Sequence, residues 1–449
     1  MIKIFNKNSN ELVSFLKEHG MSVEKNMFFN NDIISRLYMH INGDMVIISD
    51  SLVDIRNDFS LEVDADAEEF YSFFGFILPP YTIYQDTFSL APYVCFSLIE
   101  PNKHCFNLPK KIKSNTSLEL IESIRNDLNE YLSRHSEEYS ALFSAGIDSS
   151  VLLSLADSAA KVKAAINCHM ESMGEESEKA KSMCHSKGID FLEIHLPTDL
   201  SSFADRFLND IGEPISDQIA VVMPALLEHA NADKSIAILD GQGADSLFSG
   251  LPHDKVCTFY CKNSLLINVL SLFRNIPVWK NKSTKIGRIL YRGTKALNCL
   301  SQPNLTMMLM TSLLENGSLD QLKQNSIYIA MHNELESLHT ELKDFHLVIR
   351  YFFMFRMLYS REMQKYLVCQ NEGYKFCLPF IETNFVSKYF YTPSSLSIVN
   401  NTFKWPMFKL ATELWPAEFK KSSTSPFQVE FSVGSKNVKD LSIHKLTDS

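Results

Sequence analysis

Long apolar runs are missing from this 449-residue sequence. No stretch approaches the ~18–20 uninterrupted apolar residues of a membrane span. The most apolar windows, 264–273 and 347–358, are short or carry charge and read as buried helices. The opening residues, MIKIFNKNSNELVSF, lack the apolar core of a secretory signal, so a cytoplasmic protein is expected. Paired cysteine motifs are missing too. Nine cysteines are scattered without a CxxC, and Cys257 and Cys261 have no His or Cys cluster to complete a zinc site. Reduced thiols fit that pattern. Nor does a strongly basic block appear. With 43 basic and 53 acidic residues the net charge is -10, which argues against a broad nucleic-acid surface.

What is present is enough chain for two ordinary domains with large cores. Residues 1–110 read as short strands and turns, with a strand over 44–49 and a polar turn between β-prone runs within 81–99. A polar stretch at 110–117 reads as a linker, which divides the chain into 1–115 and 116–449. Beyond it the pattern alternates. A helix over 118–134 precedes a strand (139–143), a helix from 149, a strand (163–167), a helix (175–187), a strand (190–195) and a last strand (235–239). Such alternation predicts an α/β fold around a parallel sheet. Past 260 the chain reads mostly helical, with a long run over 326–367, and its tail after about 433 is polar.

Two loops carry candidate chemistry. The first, Ser144-Ala145-Gly146-Ile147-Asp148-Ser149-Ser150, lies between a predicted strand and helix. Its small residues let backbone N–H groups close around an anion, and the helix N-terminus adds partial positive charge. Ser144 and Ser149 can donate to phosphate oxygens. Asp148 would repel phosphate unless a cation intervenes, which implies Mg²⁺. An ordinary turn capped by Asp148 or Ser149 is the plainer alternative. The second loop, 240–250 (DGQGADSLFSG), follows another strand and offers Asp245 as a second carboxylate. In a parallel sheet both loops emerge at the carboxyl ends of strands and face one crevice.

SAGIDSS resembles the SGGxDS ATP-pyrophosphatase loop, and DGQGADSLFSG resembles the GEGADELFGG loop, of asparagine synthetases. Gly212-Glu213-Pro214-Ile215 resembles the family's D-E-P segment, and Leu378-Pro379-Phe380-Ile381-Glu382 its R-x-P-F-L-D segment. Residues 409–421 (KLATELWPAEFKK) are similar to its C-terminal lysine- and arginine-containing segment, and 74–99 to the last section of its glutaminase domain. The resemblance implies an ATP-pyrophosphatase domain with a helical extension, behind a small, β-rich, degenerate glutaminase-like domain. It implies ATP on Leu142, Phe143, Ser144, Ala145, Gly146, Asp148, Ser149, Ser150, Gly241 and Gly243, with Mg²⁺ on Asp148 and Asp245.

The departures narrow what is expected. The family's glutaminase needs a cysteine directly after the initiator methionine. Here residue 2 is Ile2 and the nearest cysteine is Cys95, so an N-terminal nucleophile is lacking. The catalytic Glu of the second loop is Gln242. The family's Glu/Arg pair ahead of its P-F-L-D has gone. Two branches resembled here have abandoned ammonia: β-lactam synthetases and lasso peptide cyclases. The latter share a degenerate N-terminal domain, tolerate variation at the position of Gln242, and carry a segment resembling Lys420-Lys421-Ser422-Ser423-Thr424-Ser425. This resemblance implies carboxylate activation as an acyl-adenylate and attack by a peptide amine. Lys421, or Lys420 one register away, would stabilise the oxyanion. A precursor peptide and a leader peptidase or leader-binding protein are the implied partners. The alternatives are a ligase on a small metabolite, with ammonia or a partner-supplied amine, and a non-catalytic nucleotide-binding scaffold.

Overall fold

Strands and helices alternate past residue 117, and hydrophobic strands that alternate with helices bury both sheet faces. The computed structural model describes residues 2–7, 9–19, 21–24, 27–30, 36–97, 105–110, 117–169, 174–197, 199–263, 267, 269–270, 278–279, 285–419 and 446. Residues 111–116 of the sequence-predicted linker over 110–117 and the tail after 433, Leu446 apart, lie outside these residues.

The N-terminal part carries strands β1 (Lys3–Asn6), β2 (Ser22–Glu24), β3 (Met27–Phe29), β4 (Tyr38–Asn42), β5 (Met45–Ser49), β6 (Thr87–Ser89), β7 (Val94–Ser97) and β8 (Cys105–Phe106). They form two antiparallel sheets, ordered β1-β5-β4-β6 and β2-β3-β7-β8. The expectation of strands and turns alone over 1–110 is corrected by three helices, Asn10–Glu18, Leu52–Asp58 and Ala65–Phe74. Each opens on a residue that reads locally as a turn former. Ser9, Ser51 and Asp64 accept backbone N–H groups of the first helical turn, satisfying donors the helix itself leaves free.

The second part is built on β9 (Tyr139–Leu142), β10 (Val162–His169), β11 (Phe191–His195), β12 (Ala237–Leu239) and β13 (Phe376–Cys377). All pair in parallel, in the order β11-β10-β9-β12-β13. Since β10 lies on one side of β9 and β12 on the other, the sheet has its switch point at β9, and ligand crevices form there. The two-residue β13 is too short to show in a hydrophobic pattern.

The helical run over 326–367 is interrupted. Helix Ser326–Leu342 ends at Lys343, whose φ is 59°. Helix Phe345–Phe352 starts on an Asp344 cap and leads into a π-helix, Phe353–Glu362. Helix Gln364–Asn371 follows. One buried core runs continuously from Phe70, Phe74 and Phe76 to Val151, Phe355 and Leu410. The N-terminal part is therefore packed onto the second part. Among the described residues, no helix is long and apolar enough to cross a membrane.

Candidate active site

β9 and β12 are adjacent and parallel, so the chain leaves both at the same sheet edge, side by side. After β9, Ala145 turns the backbone at φ 55°, and Gly146 caps helix Ile147–Ser158 with no side-chain hydrogen bond. The cap expected at Asp148 or Ser149 is thus replaced by a glycine, and the first-turn N–H groups stay free of a capping side chain. Ser144 and Ser149 hydroxyls lie 3.4 Å apart across the turn. After β12, Gly241 lets the loops touch: a Cβ there would stand 2.8 Å from Asp148 Cβ. Gly243 has φ 100°, and a Cβ on it would stand 2.4 Å from Ile381. These glycines serve close approach.

An open cleft of about 760 Å³ covers both loops, in the upper half of the ~300–1,000 Å³ typical of ligand clefts. Of the sequence-predicted set, Leu142, Phe143, Ser144, Gly146, Asp148, Ser149, Gly241, Gln242, Gly243 and Asp245 line it. Ala145 and Ser150 are buried behind it. Ile166, Val222, Met223 and Leu226 give it an apolar wall, while Asp217, Arg361, Glu362 and Lys365 give it a charged one. Lys420 and Lys421 lie outside the described residues.

Asp148 and Asp245 converge on a third side chain that the sequence reading passed over. Lys404, at φ 57° just ahead of helix Trp405–Leu414, sends its buried ammonium between them. It donates to Asp148 Oδ2 and, at 2.5 Å, to Asp245 Oδ1. Lys409, where the family segment begins by resemblance, instead lies over the Trp405 ring. Burial pushes the Asp148 carboxyl up to about 7 against the pull of Lys404, with Asp245 adding repulsion. Burial works against the Lys404 charge, but the two carboxylates outweigh it and hold its pKa above the ordinary lysine value.

This arrangement fits a divalent cation. A single cation already bridges both carboxylates, and Asp148 Oδ1 is buried without a hydrogen-bond partner. No group of three or more His, Cys, Asp or Glu side chains suited to a metal occurs among the described residues. Two carboxylates are the number Mg²⁺ takes when phosphate and water complete its octahedron.

A second network was equally hidden. Asp240 accepts from Lys365 at 2.8 Å and Tyr366 at 2.6 Å. Burial opposes its charge, and Lys365 outweighs burial, so Asp240 titrates below the usual range. Lys365 also donates to Gln242 Oε1 at 2.8 Å, which leaves the Gln242 amide to donate to Glu362. Burial pushes the Glu362 carboxyl up, against Arg361 and Lys365. Nothing in the periodicity marks Glu362 as facing a loop 120 residues earlier in sequence.

A parallel sheet with two glycine-bearing loops meeting at its switch point defines an α/β protein of the kind that binds phosphate-bearing ligands at strand ends. The asparagine synthase family model matches residues 123–449, and the chain belongs to that family. Its members are ATP-dependent ligases that form carbon–nitrogen bonds, typically with Mg²⁺. No curated protein matches the sequence.

Proposed function

We propose that the chain is an AMP-forming ligase that closes a macrolactam, or isopeptide, ring in a lasso-type precursor peptide. The observation that carries this reading is Glu362, a carboxylate with a raised pKa that lines the same open cleft as both loops and accepts from Gln242 of the second. A peptide α-amine has a pKa of ~7.7–8 and is mostly protonated at neutral pH, so a nearby base must take its proton before it attacks. Glu362 is that base in this reading. Gln242 and Lys365 orient it.

In the first step a substrate carboxylate oxygen attacks the α-phosphorus of ATP, and the bond to the β-phosphate oxygen breaks. The helix N-terminus after Gly146, with Ser144 and Ser149, receives the departing pyrophosphate. Asp148 and Asp245 would hold Mg²⁺, which supplies charge neutralisation on the phosphates. In the second step Glu362 takes the ammonium proton, the freed amine attacks the acyl carbon, the bond from that carbon to the AMP phosphate oxygen breaks, and the second amine proton leaves to the AMP phosphate or water. Lys421, or Lys420, would stabilise the oxyanion from the C-terminal segment. A folded peptide that brings amine and carboxyl together supplies proximity.

Cys95 is buried in β7. The N-terminal part is read as a degenerate glutaminase-like domain retained as a docking unit for a leader peptidase or leader-binding protein, in a cytoplasmic setting. The Arg361–Asp217 pair on the cleft wall also suits a small polar acid, which is the alternative: a ligase on a metabolite with ammonia or a partner-supplied amine. The test is incubation with ATP, Mg²⁺, a candidate precursor and its peptidase, followed by mass spectrometry. A peptide lighter by one water and resistant to carboxypeptidase, with AMP and pyrophosphate, is expected. Amidation of a small acid with no peptide required overturns the reading.

A further inference from the structure

Beside the cleft the chain exposes apolar surface of a kind it buries elsewhere. Ten large hydrophobic residues are exposed among the described residues, and six of them fall between 259 and 290: Phe259, Val269, Trp279, Ile286, Ile289 and Leu290. The last three lie on helix Lys285–Leu300, with Ile286 71% and Ile289 66% exposed. Positions 286, 289, 290 and 293 share one helical stripe. Position 293 is a glycine over which a Cβ would meet nothing within 4 Å, so the stripe runs into open space.

The helix packs by a different side. Gly287 and Cys299 are buried, Thr294 Oγ1 accepts the Trp279 N–H at 2.9 Å, and Lys295 donates to the Leu314 carbonyl at 3.3 Å. The exposed stripe is therefore not the seam that holds the helix in place. A soluble surface helix ordinarily places polar residues there.

Two observations say what covers it. The first is charge. Residues 255–314 contain nine Lys and Arg and not one Asp or Glu, in a chain of net charge -10. Spread over so many positions, these cations form no block. The second is continuity: Tyr291 and Arg292, from the same helix, line the cleft above the phosphate loops. Arg292 follows Ile289 by three positions, so one edge of the stripe adjoins the cleft lining.

We propose that the Ile286–Ile289–Leu290 stripe docks an acidic, apolar stretch of the peptide substrate and feeds its reacting end into the cleft. This deepens the macrolactam reading and rests on it. Apolar side chains would cover the stripe, while Asp or Glu residues would meet Arg292 and the positive charge this stretch of sequence carries, as in helix-in-groove and acidic-motif recognition.

The test uses the full-length protein and a fluorescein-labelled 16-residue probe of Leu-Glu-Glu-Leu repeats, followed by anisotropy. The wild type is expected to bind it, to bind a Leu-Lys-Lys-Leu probe at least tenfold more weakly, and to release it at raised salt. The double variant Ile286→Glu, Ile289→Glu should lose at least tenfold in probe affinity while ATP affinity stays unchanged. Equal binding by wild type and variant overturns the proposal. So does partition onto anionic phosphatidylglycerol vesicles without probe binding, or a variant that alters only self-association by light scattering. A precursor cyclised with the same KM by both proteins removes the docking face and leaves the macrolactam reading intact. Probe binding as expected, with only small-acid amidation found, removes the peptide as substrate and with it the assigned occupant.

Discussion

Glu362 and Lys404 are where single side chains decide the chemistry. In the proposed mechanism Glu362 must be ionised to accept the amine's proton. Its pKa lies above the ordinary ~4.3–4.5 of glutamate because burial disfavours its charge. Between the unfolded and folded values the native protein holds a proton that the unfolded chain has released. Glu362 therefore lends stability that fades as pH rises through its folded pKa, while activity rises over the same interval. Glu362→Gln should lower product formation by about 10²–10⁴-fold and abolish the acid limb of the pH profile. Carboxylate-dependent exchange of pyrophosphate into ATP should persist; its loss in parallel would assign Glu362 to adenylation instead. Lys404 bridges Asp148 and Asp245 with a buried ammonium. Removing one partner of a buried pair costs about 3–5 kcal/mol. Asp245 is half exposed, so solvent screening reduces this to about 1–3 kcal/mol. Lys404→Met should melt earlier in chelator, and Mg²⁺ should raise its Tm more than it raises the wild type's. Equal Mg²⁺ responses would separate Lys404 from the metal site. Neither residue was legible from sequence. Glu362 sits in a segment whose local pattern reports only helix and Lys404 in a turn with no motif of its own, and each meets partners at least 120 positions away. Asp148 and Asp245 were legible because small residues surround them directly after strands.

At the level of elements, the loops are only as good as the strands that carry them. β9 and β12 pair in register from Tyr139 and Ala237, which sets the Ser144 and Gly241 turns side by side. The period-two and apolar patterns announced these strands to within two residues at each end, which together with the small residues that follow them located the site. The π-helix Phe353–Glu362 was not legible. Its wider turn has no periodic signature of its own, and the sequence reads it as continuous helix through Leu367. Extra residues per turn are common near functional sites, and here the π-helix ends at Glu362 in the cleft. Where the two loops meet, Gly241→Ala tests their coupling. Its methyl would stand 2.8 Å from Asp148 Cβ and 3.4 Å from the Ser149 backbone nitrogen, which cannot give way like a flexible side chain. Overpacking of this kind costs about 1–3 kcal/mol and displaces Asp148. The expected result is a modest loss in a urea melt with near-complete loss of pyrophosphate exchange. A melt shifted as predicted with full exchange would show that the loops can part without harm.

At the scale of the whole molecule, a buried ion pair is one of several contacts between the N-terminal part and the elements around the cleft, beside Ser89 on the Tyr359 hydroxyl and Arg356 on the Pro92 carbonyl. Arg36 donates to Glu213 in the Gly-Glu-Pro-Ile segment and to the Tyr359 carbonyl in the π-helix, and its guanidinium lies over the Tyr359 ring, 4.6 Å from its centroid. Tyr38 donates to the same Glu213 oxygen. Gln364, two residues beyond Glu362, donates to the other at 3.1 Å. Arg36 and Glu213 side chains are only 6% and 12% exposed. Burial opposes the Arg36 charge, and Glu213 together with Tyr38 and Tyr359 more than restores it, so the guanidinium pKa is raised. In the proposed mechanism this contact would give the N-terminal part a role in positioning Glu362, because it joins Arg36 to the Tyr359 carbonyl within the π-helix and, through Glu213, to Gln364 just beyond it. Arg36→Ala leaves Glu213 buried and facing a tyrosine and an amide, which costs about 3–5 kcal/mol when the lost partner is this deeply buried. Arg36→Lys should not rescue it, because one ammonium cannot reach both Glu213 and the Tyr359 carbonyl as the planar fork does. Glu213→Gln combined with Arg36→Ala should be milder than the sum of the singles, by about 0.5–3 kcal/mol of coupling. The discriminating readout is kinetic. If the pair positions Glu362, Arg36→Ala at a temperature where it stays folded lowers kcat for amide formation and leaves the KM for ATP unchanged. If it only holds the two parts together, stability falls and neither kinetic constant moves.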